Sequence, residues 1–382
     1  MDQFTAHLDR GWDLVSRGDT RGAAISARRA LELDPNSPEV FNLLGYICAA
    51  DGEADEALEH YRQAMALDDG YMEPILNAAE ILVHPLREYD EAVALCEDAL
   101  SFAEEIEEIV DAKLLKFDAL VGKGDRDAAR KVLAEIPEGP YPNPGYTYLV
   151  GRAHYEIGQP ATARGFIEET VERDPANADA RYYLGLILDD EGDPMGATRA
   201  FLAARALDLA AGAPEWSPAD DAFQRLVEAA TGRLPAELRV AMGGALVVVS
   251  DVPGVEVVAE GVDPRIPVLV DVSPPPVEPA AGDLGTGTVE RADGVAMRGG
   301  GGAGAAAALP PLRVFVYQRC LERAAGSLAA VEDTLLDALE RELRAVLGQV
   351  PSSGMGAPAD TDAGPTEPTG EGLEPPASDD QA

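Results

Sequence analysis

Carboxylates are the groups best supplied to do chemistry in this 382-residue chain, which has 69 acids against 30 lysines and arginines and only four histidines. A general acid–base pair needs two carboxylates facing each other, and Glu340 and Glu342, two apart in a helical stretch, point to different sides. Asp333, Asp337, Glu340 and Arg344 recur at three- and four-residue spacings, the pattern of a solvated, ion-paired helix face. Asp189, Glu191 and Asp193 alternate like the start of a calcium loop, but Pro194 stands where such a loop needs glycine and Ala200 where it needs glutamate. His7, His60, His84 and His154 are scattered at no metal-ligand spacing. Cys48, Cys96 and Cys320 form an odd set without paired spacing and read as buried free thiols. Gly299 to Gly302 lack the preceding strand and following Lys-Ser/Thr of a phosphate-cradling loop. These residues predict no metal, no cofactor and no catalytic site.

The elements that would position any site are set by a repeat. Gly18, Gly52, Gly124, Gly158 and Gly192 lie 34, 72, 34 and 34 residues apart, and five residues after each comes an alanine: Ala23, Ala57, Ala129, Ala163 and Ala197. Seven residues before the turn glycine stand Gly11, Gly45, Gly151 and Gly185, with only Phe117 departing. Paired helices whose axes approach to about 8–10 Å need almost no side-chain volume where they cross. Phe41, Leu44, Tyr61, Leu184 and Phe201 are the large apolar residues expected to fill the rest. Ser37-Pro38 and Pro160 open helices, while Asp34-Pro35 and Asp174-Pro175 end the helices before them. The 72-residue gap holds a further unit, from about Met72 to Phe102, with Ile75, Ala79, Ala92, Cys96 and Ala99 in phase and extra residues around His84-Pro85-Leu86.

A 34-residue period with one helix, a turn and a second helix resembles the tetratricopeptide repeat. The resemblance predicts a solenoid of about six helical hairpins over residues 1–212; beyond it the periodicity stops, and in this mainly α chain a smaller α+β domain is expected over 213–348. In the latter, Ser217-Pro218-Ala219-Asp220 reads as a capped helix start, Ala222 to Ala230 as the helix capping the last repeat, and Leu234 to Met242 as a short helix. Ala245 to Ser250, Val255 to Val258, Ile266 to Val272 and Leu312 to Tyr317 read as strands, and Cys320 to Leu347 as one long helical stretch. Residues 273–310, rich in Pro, Gly and Ala, are expected to be a flexible insertion, and 349–382 a disordered acidic tail.

"LPAELRVAM", the valine-rich strand, "LRVFVYQRCLERAAG" and the helix "VEDTLLDALERELRAVLG" together resemble a family of minimal bacterial zincin-like metallopeptidases. In that family the last helix carries H-E-x-x-H before a glycine, the histidines holding zinc and the glutamate acting as base. Laid on the motif by Gly348, the helix puts Glu342 on the glutamate but Arg341 and Ala345 on the histidines, and none of Gln349, Val350, Pro351 or Ser352 is the acid expected as third ligand. An ever-protonated guanidinium repels a cation at a ligand position. The expectation is an inactive, metal-free relative, a non-enzyme; the competing one is a hydrolase with Glu342 as base and unrecognised zinc ligands.

What remains is binding. In tetratricopeptide arrays the first helices of successive units line a concave groove. By that resemblance the lining is Trp12, Asn42, Tyr46, Asn77, Glu80, Asp118, Tyr148, Arg152, Tyr155, Tyr182 and Asp189. Rings give contact area and polar groups fix register for an extended or helical peptide. Only Arg152 is basic, which argues against gripping a terminal carboxylate and for a protein or peptide partner with a basic segment. A formal charge of −39 disfavours nucleic acid and anionic membrane. With no basic-then-apolar start and no ~20-residue apolar run, the expected location is the cytoplasm of a bacterium. The second domain is also expected as a possible occupant of the groove.

Overall fold

Stacked helical hairpins make up the first 210 residues of the chain in the computed structural model, which describes residues 2–272 and 312–349. The expected insertion, the tail beyond 349 and Gly299 to Gly302 lie outside the described residues. The hairpins pair α1 (Gln3–Ser16) with α2 (Thr20–Leu33), α3 (Pro38–Ala50) with α4 (Ala54–Leu67), α5 (Met72–Val83) with α6 (Tyr89–Phe102), α7 (Ile106–Lys123) with α8 (Arg126–Ala134), α9 (Pro144–Glu156) with α10 (Pro160–Arg173), and α11 (Ala178–Asp190) with α12 (Pro194–Ala210).

Five of the six turns are built alike. The periodic glycine takes φ of 75–85°, and the residue after it donates its N–H to the carbonyl five residues back, at 2.8–2.9 Å in Asp19, Glu53, Asp125, Gln159 and Asp193. A left-handed residue is needed for that closure, and glycine adopts it without a steric penalty. Asp19, Asp125 and Asp193 then accept from the amides of Gly22, Ala128 and Gly196, capping the following helices. The third turn has no glycine in phase; the extra residues at His84-Pro85-Leu86 put Arg87 at φ 59° and lengthen the closure to Glu88 N–H on Leu82 O.

The small positions are where helices come close. A Cβ on Gly45 would lie 2.5 Å from the ring of Tyr61, itself 1 % exposed, and one on Gly151 would lie 2.9–3.0 Å from Phe166 and Ile167. All five in-phase alanines are at most 2 % exposed. Phe117, the exception, is wholly buried among Val110, Leu114, Val132 and Leu133, opposite the short, nine-residue α8.

A second unit follows: α13 (Asp220–Arg233), α14 (Ala236–Met242), β1 (Leu246–Ser250), α15 (Val255–Ala259), β2 (Val268–Val272), β3 (Leu312–Tyr317), α16 (Gln318–Ala325) and α17 (Val331–Gln349). The strands lie in the order β1-β3-β2, β1 parallel and β2 antiparallel to β3. Alternation on β3 sends Leu312, Val314 and Val316 to a core shared with Phe223, Val227, Leu335 and Leu339, while Phe315 and Tyr317 join Val252, Ile266 and Cys320 on the other side.

Four sequence expectations are corrected here. Val255 to Val258 lies in a helix, in which Val258 is wholly buried while Val255 is 48 % exposed. Cys320 to Leu347 is two helices, broken where Gly326 turns left-handed at φ 69°. The Ala222 to Ala230 helix does not cap the last repeat; its apolar face packs on α17, and it is α15 that covers α12. Ser217 caps no helix, its hydroxyl instead donating to Glu322 Oε1 at 2.5 Å.

Gly45→Val is expected to lower unfolding stability by about 1–3 kcal/mol through overpacking against Tyr61. Urea denaturation would read it, and an unchanged midpoint would mean α3 and α4 do not need that approach.

Candidate functional site

The first helices of the hairpins touch in series, α1 on α3, α3 on α5, α5 on α7, α7 on α9 and α9 on α11, so their free faces form one continuous surface. Most of the expected groove residues on it are joined to the equivalent position one unit on. Trp12 and Tyr46 meet edge-on at 5.6 Å between ring centroids. Asn77 donates to Asn42 Oδ1 at 3.2 Å, and Asn42, 3 % exposed, donates in turn to Tyr71 at 3.2 Å. Arg152 reaches Asp118 at 3.3 Å and Glu156 at 3.4 Å. Tyr148 packs edge-on against Tyr183 at 5.9 Å, and Tyr155 donates to Asp190 at 2.9 Å. Glu80 and Asp189 stay exposed, and Tyr46 is 43 % exposed.

Two adjoining concavities open on this surface. The larger, about 480 Å³, is walled by α5, α7 and α9 and carries Glu73, Glu80, Asp111, Asp118, His84 and Arg152. The smaller, about 390 Å³, shares Asn77, Glu80 and His84 and extends to Tyr46 and Tyr61. Burial raises the Asp111 carboxyl above the ordinary range against the pull of the hydrogen bond donated by Tyr146 at 2.8 Å. Burial also raises Asp118, with the Arg152 charge opposing it and Glu156 adding to it. Since Arg152 is held between two carboxylates, the larger concavity presents a net negative lining with a few apolar side chains, Leu76, Leu114 and Leu149, beneath it. Asp111, Glu73 and His84 were missed by inspection of the sequence; the 35-residue spacing of Asp111 to Tyr146, the same as Tyr155 to Asp190, is the signal that could have found the first.

At the far end the surface is occupied by the second unit. Arg265 lies over the ring of Tyr182 at 4.5 Å, bonds Asp208 through two nitrogens at 2.8 and 3.0 Å and reaches Asp179 at 2.7 Å. Arg323 bridges the same two carboxylates at 2.8 and 2.7 Å. Tyr182 donates to Asp263 at 2.8 Å, and Arg205 donates to Pro253 O at 2.5 Å. Tyr182 therefore serves the seam between the units instead of an open groove. The Arg265 side chain is only 11 % exposed there, so its pairings act in a poorly screened setting.

The helix laid on the metallopeptidase motif is α17. Arg341 and Ala345 are exposed on it, and Glu342 is held by Arg341 at 3.1 Å. Among the described residues, no group of three or more His, Cys, Asp or Glu is placed to hold a metal ion. Among them too, no helix is long and apolar enough to cross a membrane.

Residues 8–71 and 148–214 match the family model of the tetratricopeptide repeat, stretches that fall on the first two hairpins and the last two. The two middle hairpins, with their non-glycine turn and Phe117, fall between the matched stretches, and the second unit lies beyond them. An 87-residue alignment at 32 % identity relates the chain to the type IV pilus assembly protein PilF of Pseudomonas aeruginosa, over 23 % of this chain and about a third (34 %) of that protein. Among solved structures, Pseudomonas aeruginosa PilF superposes with a TM-score of 0.46 at 20 % identity, over 54 % of this chain and 91 % of that one. PilW, described as a widely conserved type IV pilus biogenesis factor, gives 0.46 at 20 %, over 53 % and 92 %. A thermophilic tetratricopeptide protein of Thermus thermophilus gives 0.41 at 19 %, over 48 % and 98 %.

Arg265→Ala is expected to leave Asp208 and Asp179 short of a cation in a half-buried seam, a loss of about 3 kcal/mol when such a pair is broken. Amide hydrogen exchange in α11, α12 and α15 would then quicken. Unaltered protection would show that Arg323 and Asp263 suffice.

Proposed function

We propose that this tetratricopeptide-repeat chain is a non-enzymatic adaptor that takes a protein or peptide segment bearing cationic side chains into its concave groove. The observation that carries the reading is the cluster of Glu73, Glu80, Asp111 and Asp118 around a cavity of about 480 Å³ whose one arginine is already held by carboxylates. Cations are attracted to such a lining, and the exposed ring of Tyr46 nearby offers the flat contact that guanidinium groups prefer. The chain supplies its own example of that chemistry, Arg265 stacked on Tyr182 between Asp179 and Asp208. The formal charge of −39 favours basic protein partners over nucleic acid or anionic membrane, and the proposed setting is the bacterial cytoplasm.

In this reading the second unit is a zincin-like scaffold that has lost its metal site. Support comes from Arg341 and Ala345 standing where the ligand histidines are expected, with Glu342 tied to Arg341. It serves as a structural partner of the last repeat. Metal analysis of the full chain after incubation with zinc and desalting tests this point: stoichiometric retained zinc would overturn it, and Glu342→Gln is expected to leave partner binding intact.

The groove itself is tested by fluorescence anisotropy with an arginine-rich peptide and a glutamate-rich peptide of equal length. Binding of the basic peptide alone is expected. Asp118→Asn should weaken it at least about tenfold, a loss of about 1.4 kcal/mol, because it removes one acid from the lining and leaves Arg152 with Glu156 as its one remaining carboxylate. Equal binding of both peptides, or indifference to the substitution, would sink the proposal.

Acidity gives an independent check. A cation is bound by the ionised forms of Asp111 and Asp118, and burial holds both carboxyls above their usual range. Each is therefore neutralised earlier than an exposed carboxylate as pH falls. Affinity for the basic peptide is expected to be full at neutral pH and to decline on acidification before exposed aspartates titrate.

A further inference from the structure

The turn between α5 and α6 has no glycine and carries extra residues at His84-Pro85-Leu86. Stacking does not call for them, since the five glycine turns close their hairpins without any. Here they help to shape the groove: His84 borders both of its concavities, and Pro85 borders the smaller one. The backbone holds them in place, His84 N–H donating to Glu80 O at 3.0 Å and Leu86 N–H to Ile81 O at 3.2 Å.

The two concavities share a wall of Asn77, Glu80 and His84 but differ in chemistry on either side of it. Glu73, Asp111 and Asp118 belong to the larger. The smaller, about 390 Å³, is completed by Ala49, Ala50, Ile81, Pro85 and tyrosine rings, and none of the residues it does not share is charged. In a chain of formal charge −39 that is a local exception. Tyr46 on its rim is held edge-on by Trp12 at 5.6 Å, so both sides of the concavity are set before a partner arrives.

We infer that the smaller concavity takes a large apolar side chain of the partner, of the size of leucine, carried close in sequence to the cation that enters the acidic one. The inference rests on the basic-partner reading of the groove and adds what charge cannot supply. Charge complementarity puts the cation in the larger concavity, yet carboxylates attract any basic segment. Uncharged walls take water from whatever enters and favour apolar surface. A second cation there would find only Glu80, which the first already faces. Because the concavities share a wall, the distance between the two side chains is set, and the partner is selected by the pair.

Fluorescence anisotropy on the full chain tests this with peptides of equal length that share an arginine run in a serine background, leucine replacing one serine at a time. At least one leucine placement is expected to tighten binding about fivefold or more over the serine peptide, and glutamine at the same place is not. In Ala50→Gln, which puts a polar side chain into the concavity, and in Pro85→Ser, which removes an apolar wall, that advantage is expected to fall to about twofold or less. Should one variant fail to fold, the other decides. If the serine peptide binds but no leucine placement improves on it, if glutamine gains as much, or if the advantage survives the substitutions, the inference is overturned while the basic-partner reading stands. Failure of every peptide to bind would overturn both.

Discussion

A helical hairpin of this kind cannot bury its apolar stripe by itself, so every unit depends on the next one along. That constraint fixes more than the core. It selects a residue of almost no volume at Gly45, Gly151 and Gly185, and it brings the first helices into one row. It also dictates how the polar groups of the groove are used. Trp12 with Tyr46, Asn42 with Asn77, Asp111 with Tyr146, Asp118 with Arg152 and Tyr155 with Asp190 are partners one repeat apart. The residues that line the groove thus also stitch the solenoid, and what is left over for a partner is mainly negative charge.

The same excess of carboxylate explains how the solenoid ends. Its last hairpin presents Asp179 and Asp208, and the second unit answers with Arg265 and Arg323. Two cations shared between two anions, one of them stacked on Tyr182, form a network in which ordering one side chain helps order the others. The second unit then fills the role that a dedicated terminal helix fills in a free-standing solenoid. It shields the end of the stack through α15 and Pro253 while keeping a core of its own around Phe223, Val314 and Leu335.

The repeats were legible because their constraints are local and recur. A glycine that must be left-handed and an alanine that must be small cannot be replaced cheaply, so the period of 34 stands out, and it weakens where Arg87 and Phe117 stand in for them. Val255 to Val258 was misread because a short valine-rich run serves a strand or one turn of helix equally well, and burial decides between them. The break at Gly326 was hidden by strong helix formers on both sides. The seam was beyond reach for a different reason. Arg265 meets partners 57 and 86 positions earlier, and Arg323 meets Asp179 across 144, separations at which spacing carries no signal. Of the groove, residue types and helix faces could be read in advance; which of them were already engaged by neighbours could not.

The small sheet has one further property. Val272 and Leu312 are directly opposite one another in the β2–β3 ladder, so the 39 residues from 273 to 311 leave and rejoin the fold at the same spot. Closing a chain between fixed, adjacent ends costs free energy that grows only with the logarithm of its length, about 0.6 kcal/mol per doubling. The ladder is therefore nearly indifferent to how much sequence is threaded through that point. Because both ends are held by one rung of the ladder, the junction is a port through which a reporter or an entire extra domain could be spliced into the chain.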